Sequence, residues 1–151
     1  MLPPKLEEVL DDFAFIQDRN ERAAWLIDAA DRFAEARVPP EVAAPPYNEA
    51  QRVPACESDA FVWALPDDAG TLRFRFDVLN PQGLSAMALS VILADSCSGA
   101  PLQQVAAIPQ DIVLRIFGSG ISMGKGQGLM GIVSMVTHAA QQQLVAQEGG
   151  A

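Results

Sequence analysis

Two cysteines and one histidine are the residues best suited to nucleophilic or metal chemistry in this chain of 151 residues. Cys56, Cys97 and His138 stand far apart, with no Cys-x-x-Cys pair and no close Cys/His spacing of the kind zinc sites use. No catalytic dyad can be built around His138, which falls near the apolar stripe of a C-terminal helix and reads as a partly buried or surface histidine. The glycine-rich run from Gly118 to Gly128 invites comparison with loops whose backbone amides cradle phosphate. Its spacing refuses that reading: Gly118 lies one residue too far from Gly124-Lys125, and Gly126 occupies the place of the required hydroxyl. The dinucleotide fingerprint fails as well, because no strand immediately precedes the run. We read it as a structural loop leading into the last helix.

Cys56 has a more suggestive setting. It follows Arg52-Val53-Pro54-Ala55 and precedes Glu57-Ser58, between a proline-rich connector and a strand. A rigid proline and a small neighbour present a thiol on a loop, and a thiolate is both nucleophile and metal ligand. A free cysteine is also by default a small buried hydrophobe, so position alone leaves a reactive and a packing role both open. Cys97 closes a mainly apolar helix and reads as core. Nothing in the sequence points to an oxidising compartment, so both are expected as thiols.

The elements that position these residues follow from periodicity. Leu6, Val9, Leu10, Phe13 and Ile16 recur at helical spacing opposite Glu7, Glu8, Asp11 and Asp12. A second helix starts after Asp18, a cap with Glu21 three residues on, and its expected buried stripe is Ala23, Leu26, Ile27, Ala30, Phe33 and Ala34. The two are expected to form a helical hairpin. Four prolines between Val38 and Pro46 leave only an extended connector there. Two strands are expected at Ala60 to Leu65 and Leu72 to Val78, the second alternating strictly, with Pro66 to Gly70 as the hairpin turn. A helix carrying Leu84, Met87, Ala88, Val91 and Ile92 ends near Ser98-Gly99, before Pro101. Two short helical turns lie within Leu102 to Phe117. A long helix runs from about Gly128, with Leu129, Ile132, Val133, Val136, Ala140 and Leu144 on one face. This order predicts an α+β fold, a small antiparallel sheet covered by helices, in a single domain spanning 1–151.

Ten Lys and Arg against 19 Asp and Glu give a net charge of -9, which opposes nucleic acid and anionic membrane as partners. Half the residues are apolar and 19% charged, the proportions of an ordinary soluble domain rather than a disordered one. The opening residues turn acidic at once and lack a signal-peptide pattern, so a cytoplasmic setting is expected. The uncharged stretch from Gly126 to Gln147 carries five glutamines, too many amides for a bilayer core.

The segment Gln51-Arg52-Val53-Pro54-Ala55-Cys56-Glu57-Ser58, followed by Val62-Trp63, resembles the active-site segment of the SufE family, whose usual form is Asn-Arg-Val-Pro-Gly-Cys-Gln-Ser before a Val-Trp strand. Arg22 to Ile27 is similar to the family's second helix, Leu72 to Asp77 to its Leu-x-Phe-x-x-Asp strand, and Gly83-Leu84 to the start of its apolar helix. Gly128-Leu129, Met135 and Ala139 resemble the last helix, so the likeness covers nearly the whole chain.

The resemblance implies a sulfur acceptor for a pyridoxal-phosphate-dependent cysteine desulfurase in iron-sulfur cluster assembly. Cys56 would take the persulfide sulfur, stimulate the desulfurase and pass the sulfur to a cluster scaffold. The chain would then be a partner protein rather than an enzyme, with no cofactor of its own, and Arg52, Glu57 and Ser58 would meet the partner. It also implies a fold shared with IscU-type scaffolds and a small apolar cavity sheltering the cysteine. The chain departs from the family pattern at Gln51, at Ala55 for Gly, and at Glu57 for Gln. Ala55 restricts the backbone, and Glu57 sets a negative charge beside the thiol. Gly124-Lys125-Gly126-Gln127-Gly128-Leu129 stands for Ser-Arg-Ser-Asn-Gly-Leu, keeping a cation without arginine's fork. The alternative, an IscU-like metal or iron-sulfur scaffold, needs three clustered cysteines where this chain has two. A purely structural adaptor would work on a partner without its thiol.

Overall fold

A computed structural model describes residues 1–149. In chain order the elements are α1 (Pro4–Phe15), α2 (Arg19–Asp31), α3 (Phe33–Ala36), a 3-10 turn (Glu49–Gln51), β1 (Ala60–Pro66), β2 (Leu72–Val78), α4 (Leu84–Cys97), α5 (Leu102–Ala106), α6 (Ile112–Phe117) and α7 (Met123–Gly149). The architecture is α+β. β1 and β2 form an antiparallel pair with Ala60 opposite Val78, Val62 opposite Phe76 and Ala64 opposite Phe74. This register puts Ala60, Val62, Leu72, Phe74, Phe76 and Val78 into the main core with α1, α4, α6 and α7.

The expected alternation of β2 is met on its apolar side, where Leu72, Phe74, Phe76 and Val78 are all buried. The other side of the sheet is buried at the end holding Phe61, Trp63 and Asp77, though not by a helix, while Arg73 at the far end is exposed. Phe61 and Trp63 pack against Val38, Ala43 and Tyr47 of the proline-rich connector, and the rings of Tyr47 and Trp63 lie 4.8 Å apart edge to face. Asp77, expected on the polar side, is therefore buried. Its carboxylate accepts a 2.6 Å hydrogen bond from the Tyr47 hydroxyl and faces Arg37 at 3.4 Å. Burial first, then Asp77, pushes the Tyr47 phenol up to about 12.

α4 is the central helix. Its expected single stripe is incomplete: Leu89, Ser90, Val91, Ile92, Leu93 and Ala94 in succession are buried, as in a helix surrounded by protein, while Leu84 at its start is half exposed. α1 packs on α4 and α6, and α2 packs on α4. The expected hairpin is thus two helices laid separately on α4. They meet near their connection, where the Phe13 and Trp25 rings lie 4.6 Å apart. The Asp18 cap is present, its carboxylate accepting from the Glu21 amide. The buried face of α2 differs from the expected one: Ala29 and Ala30 are buried, whereas Ala23, Ile27 and Ala34 are exposed. Within α2 the face of Trp25, Leu26, Ala29 and Ala30 lies on α4 and leaves Ala23 and Ile27 outside, and a break at Arg32, which ends α2 and starts α3, brings Phe33 and Ala36 to the core in a new register.

Arg22 locks this side of the molecule. Its guanidinium donates to the carbonyls of Phe13 and Ile16 at the end of α1, and of Arg115 and Ile116 at the end of α6. One cation thereby satisfies orphan carbonyls of two helix ends, where positive charge also meets the helix dipole favourably. The two short helices between Leu102 and Phe117 are present as α5 and α6. α7 begins at Met123, five residues before the expected start. Three glycines in its first two turns read as loop by propensity, yet the Ser122 hydroxyl accepts from the Lys125 amide and caps them into the helix. Among the described residues, no helix is long and apolar enough to cross a membrane.

Candidate functional site

Cys56 lies at the tip of a loop whose two ends are tied together. The Arg52 backbone bridges Phe61, and the Val53 amide donates to the Ala60 carbonyl at 2.9 Å, so the chain leaves and re-enters the edge of β1 across Pro54–Asp59. Two non-glycine residues with left-handed backbone flank the cysteine: Ala55 with φ 56° and Asp59 with φ 52°. Such conformations cost an L-residue roughly 1–2 kcal/mol each, less for Asp, and persist only where the surroundings impose them. The surroundings are specific. The Asp59 amide donates to the Cys56 carbonyl at 3.2 Å, and the Leu79 and Asn80 amides donate to the carbonyls of Asp59 and Ser58.

Arg52 spans the loop from outside. Its Nε donates to Glu49 at 2.7 Å, another guanidinium nitrogen donates to Asp59 at 2.9 Å, and the cation lies 4.7 Å over the Phe61 ring. The hydrogen bond donated to Glu49, ahead of the one donated to Asp59, pushes the Arg52 guanidinium above its ordinary pKa. Among the residues expected to meet a partner, Arg52 is therefore also part of the loop's own frame. Glu57 is exposed, and Ser58 is partly buried against Gly83.

Beneath the loop runs the first half of α7. A Cβ built on Gly128 would stand 3.3 Å from both Cα and Sγ of Cys56, and one on Gly131 would stand 2.8 Å from a Val53 methyl. Beside Cys56 opens a cavity of about 60 Å³, reached by Glu57, Ser85, Lys125, Gly128 and Leu129 among others. A cavity at the thiol was expected. The expectation that it is apolar is corrected: Glu57, Gln82, Ser85 and Lys125 line it together with Ala86 and Leu129, because the loop meets the polar starts of α4 and α7 rather than their apolar faces.

Cys97 is fully enclosed in the main core, and burial pushes its thiol up to about 12. His138 is exposed on α7 and does not line the cavity at Cys56. The structure thus gathers Arg52, Cys56, Glu57 and Ser58 into one loop with Lys125 beside them, and leaves Cys97 and His138 outside it. Among the described residues, no three His, Cys, Asp or Glu side chains stand close enough together to hold a metal ion.

The family described as SufE, Fe-S metabolism associated domain, matches residues 7–140. The chain belongs to the SufE family. Its fold is also similar to a solution structure of a hypothetical protein from Thermus thermophilus, with a TM-score of 0.70 at 23% identity over 96% of this chain and 99% of that one. A comparison with curated protein sequences finds no match. SufE membership ties the chain to iron-sulfur metabolism and gives its departures from the family pattern a physical meaning. Ala55, where the resemblance leads one to expect glycine, is held at a φ that favours glycine. Glu57, where the resemblance leads one to expect glutamine, places its carboxylate over the first turn of α7, 3.7 Å from where a Cβ on Gly124 would stand. A helix N-terminus favours that charge.

Three contributors to the site escaped the sequence reading. Asp59 and Glu49, the two acceptors for Arg52, carry no motif, although an arginine three residues after one acid and seven before another on a short loop is a pattern that could have been weighed. Gly83, against which Ser58 packs, appeared only as a helix start; a Cβ there would come within 2.9 Å of the Ser58 Cβ.

Proposed function

We propose that this chain is a sulfur acceptor and carrier: Cys56 takes the terminal sulfur from the persulfide of a pyridoxal-phosphate-dependent cysteine desulfurase, stimulates that enzyme, and delivers the sulfur to an iron-sulfur scaffold. The observation that carries this reading is one accessible cysteine on a loop whose ends are fixed, beside a small cavity, while the only other thiol is sealed in the core. The chemistry needs no more than that. The Cys56 sulfur attacks the outer sulfur of the donor persulfide; a new S–S bond forms on Cys56 as the donor's S–S bond breaks, and the electron pair and proton pass to the donor's cysteine. One thiol and one persulfide become one persulfide and one thiol, with no net oxidation.

Arg52, Glu57 and Ser58 form the rim that a partner would meet in this reading, and the acidic charge of the chain favours a basic facing surface. The chain acts as a partner protein, in a cytoplasmic setting, and the persulfide is the cargo. An IscU-like scaffold is less well supported, since one of its cysteines would have to be Cys97, which lies with 0% exposure beneath α4's packing partners. The test is to mix the chain with a cysteine desulfurase from the same genome and free cysteine, then follow alanine release and the intact mass. A gain of one sulfur atom with faster turnover supports the reading; no added sulfur and an unchanged rate with every such desulfurase overturn it.

A further inference from the structure

The N-terminal half of α7 is unusual for a helix interior. It holds Gly124 in its first turn and then Gly126, Gly128 and Gly131, and each glycine in the interior costs about 1 kcal/mol of helix propensity relative to alanine. Three of them face the cysteine segment in register. Gly131 lies under Val53 and the Pro54 carbonyl, Gly128 under Cys56, and Gly124 near Glu57, so residues 53–57 run antiparallel along the helix. The contacts are unequal. At Gly124 an added carbon would make ordinary contact, 3.7 Å from a Glu57 carboxylate oxygen. At Gly128 its three nearest neighbours would be Cα, Sγ and Cβ of Cys56, at 3.3, 3.3 and 3.5 Å.

The loop above cannot yield freely to such a carbon. Its ends are fixed by the Val53–Ala60 hydrogen bond, Arg52 grips Asp59, and Ala55 and Asp59 already sit in left-handed backbone. The Cys56 backbone is held only through its carbonyl, which accepts from the Asp59 amide; among the described residues its thiol makes no hydrogen bond, and its sulfur borders the cavity that Gly128 also lines.

We infer that Gly128 is a positioning residue for Cys56: the missing Cβ sets the depth at which the thiol rests, holding it against α7 at the mouth of the cavity instead of out in solvent. A side chain at 128 lifts the sulfur outward. On the sulfur-carrier reading, on which this inference builds, the resting depth shields a loaded sulfur from bulk thiols between donor and recipient. The helix gives up propensity at this position, and the return is a sheltered sulfur.

The experiment separates this inference from the function. Gly128→Ala, Gly128→Val and Gly124→Ala are compared with the parent chain, without any desulfurase, by the rate of iodoacetamide labelling of Cys56 in the native state. Peptide mass mapping keeps Cys97 out of the count, and thermal melting is run alongside. Gly128→Ala is expected to label at least about 3-fold faster with its melting temperature held or raised, since alanine favours the helix. Gly124→Ala, in the first turn of the same helix, is expected to label at the parent rate, because its added carbon makes only ordinary contact with Glu57. Gly128→Val extends the effect if it folds; if it does not, the alanine pair decides alone. Equal labelling of folded Gly128→Ala and parent overturns the inference. So does equal acceleration by Gly124→Ala, because the effect would then belong to the helix and not to the contact. Faster labelling in a chain that accepts no sulfur from a desulfurase leaves Gly128's role standing and removes the carrier reading.

Discussion

Cys56 and Cys97 are the same side chain placed by two different kinds of backbone. Cys97 ends α4 inside the main core, fully enclosed, with its thiol pushed by burial up to about 12 and thus protonated across the physiological range. Cys56 sits on a loop pinned at both ends, partly buried, bordering a cavity that also carries Lys125, Ser85 and Glu57. A helix end buried in the core hides a thiol by surrounding it. A short loop with fixed ends offers one at a defined depth, and here that takes left-handed backbone at Ala55 and Asp59. Accessibility, more than the count of cysteines, separates the two thiols in this fold.

The sharpest break of the comparison is to remove each sulfur in turn. Cys56→Ser is expected to lose all sulfur uptake and all stimulation of a desulfurase while its melting temperature stays near that of the parent, since partly exposed loop substitutions commonly change stability by no more than about 0.5 kcal/mol. Intact mass, alanine release and calorimetry check this. Cys97→Ala should do the reverse. Sulfur transfer is kept and about 1 kcal/mol of stability is lost to the vacated volume, a drop of roughly 2–4 °C in a domain of this size.

The buried thiol also predicts an alkaline limit. The folded pKa of Cys97 is raised above its ordinary value of 9.0, so its contribution is fully present below about pH 9, where both states keep the proton. Above that the unfolded chain loses its proton first, and stability falls as pH rises toward the folded value of about 12, by at most about 1.4 kcal/mol per pH unit. Tyr47, raised from 10.0 to about 12, acts in the same direction from about pH 10. Urea titrations between about pH 8 and 11 should show this loss, and Cys97→Ala should delay its onset by about one pH unit, to where Tyr47 begins to act. Identical curves for parent and variant would contradict the enclosed setting of Cys97.

A smaller effect is expected at the loop itself. Ala55→Gly relieves a left-handed alanine, a gain of up to about 1 kcal/mol that the extra freedom of glycine in the unfolded chain partly offsets. Denaturant melts should therefore show a slight rise in stability. A clear loss would mean that the loop takes a different backbone at residue 55.

Much of this contrast was legible in the sequence, and the exceptions have a common cause. The two strands, their turn, the short helices after Pro101 and the core role of Cys97 follow from local alternation, turn residues and apolar runs, which act over a few neighbours. Arg52-Val53-Pro54-Ala55-Cys56 on a loop was equally local. What escaped depends on distant partners. Asp77 reads as a surface residue until the connector folds Tyr47 onto it. Ile27 reads as core until α2 lays Trp25, Leu26, Ala29 and Ala30 on α4 and leaves Ile27 outside that face. The early start of α7 was hidden because its glycines look like loop, while in the fold they are where the Cys56 segment lies down. The site was visible as a cysteine in a motif; its bed was invisible because close approach leaves only the absence of side chains in the sequence.

The central claim, that the loop thiol and not the core thiol carries sulfur, is tested most directly by locating the sulfur. The chain is incubated with a cysteine desulfurase and sulfur-labelled cysteine, trapped with an alkylating reagent and mapped by peptide mass. The account predicts one labelled sulfur per chain on the peptide bearing Cys56, and an unmodified thiol at Cys97. Label on Cys97, or label retained in full by Cys56→Ser, would contradict it.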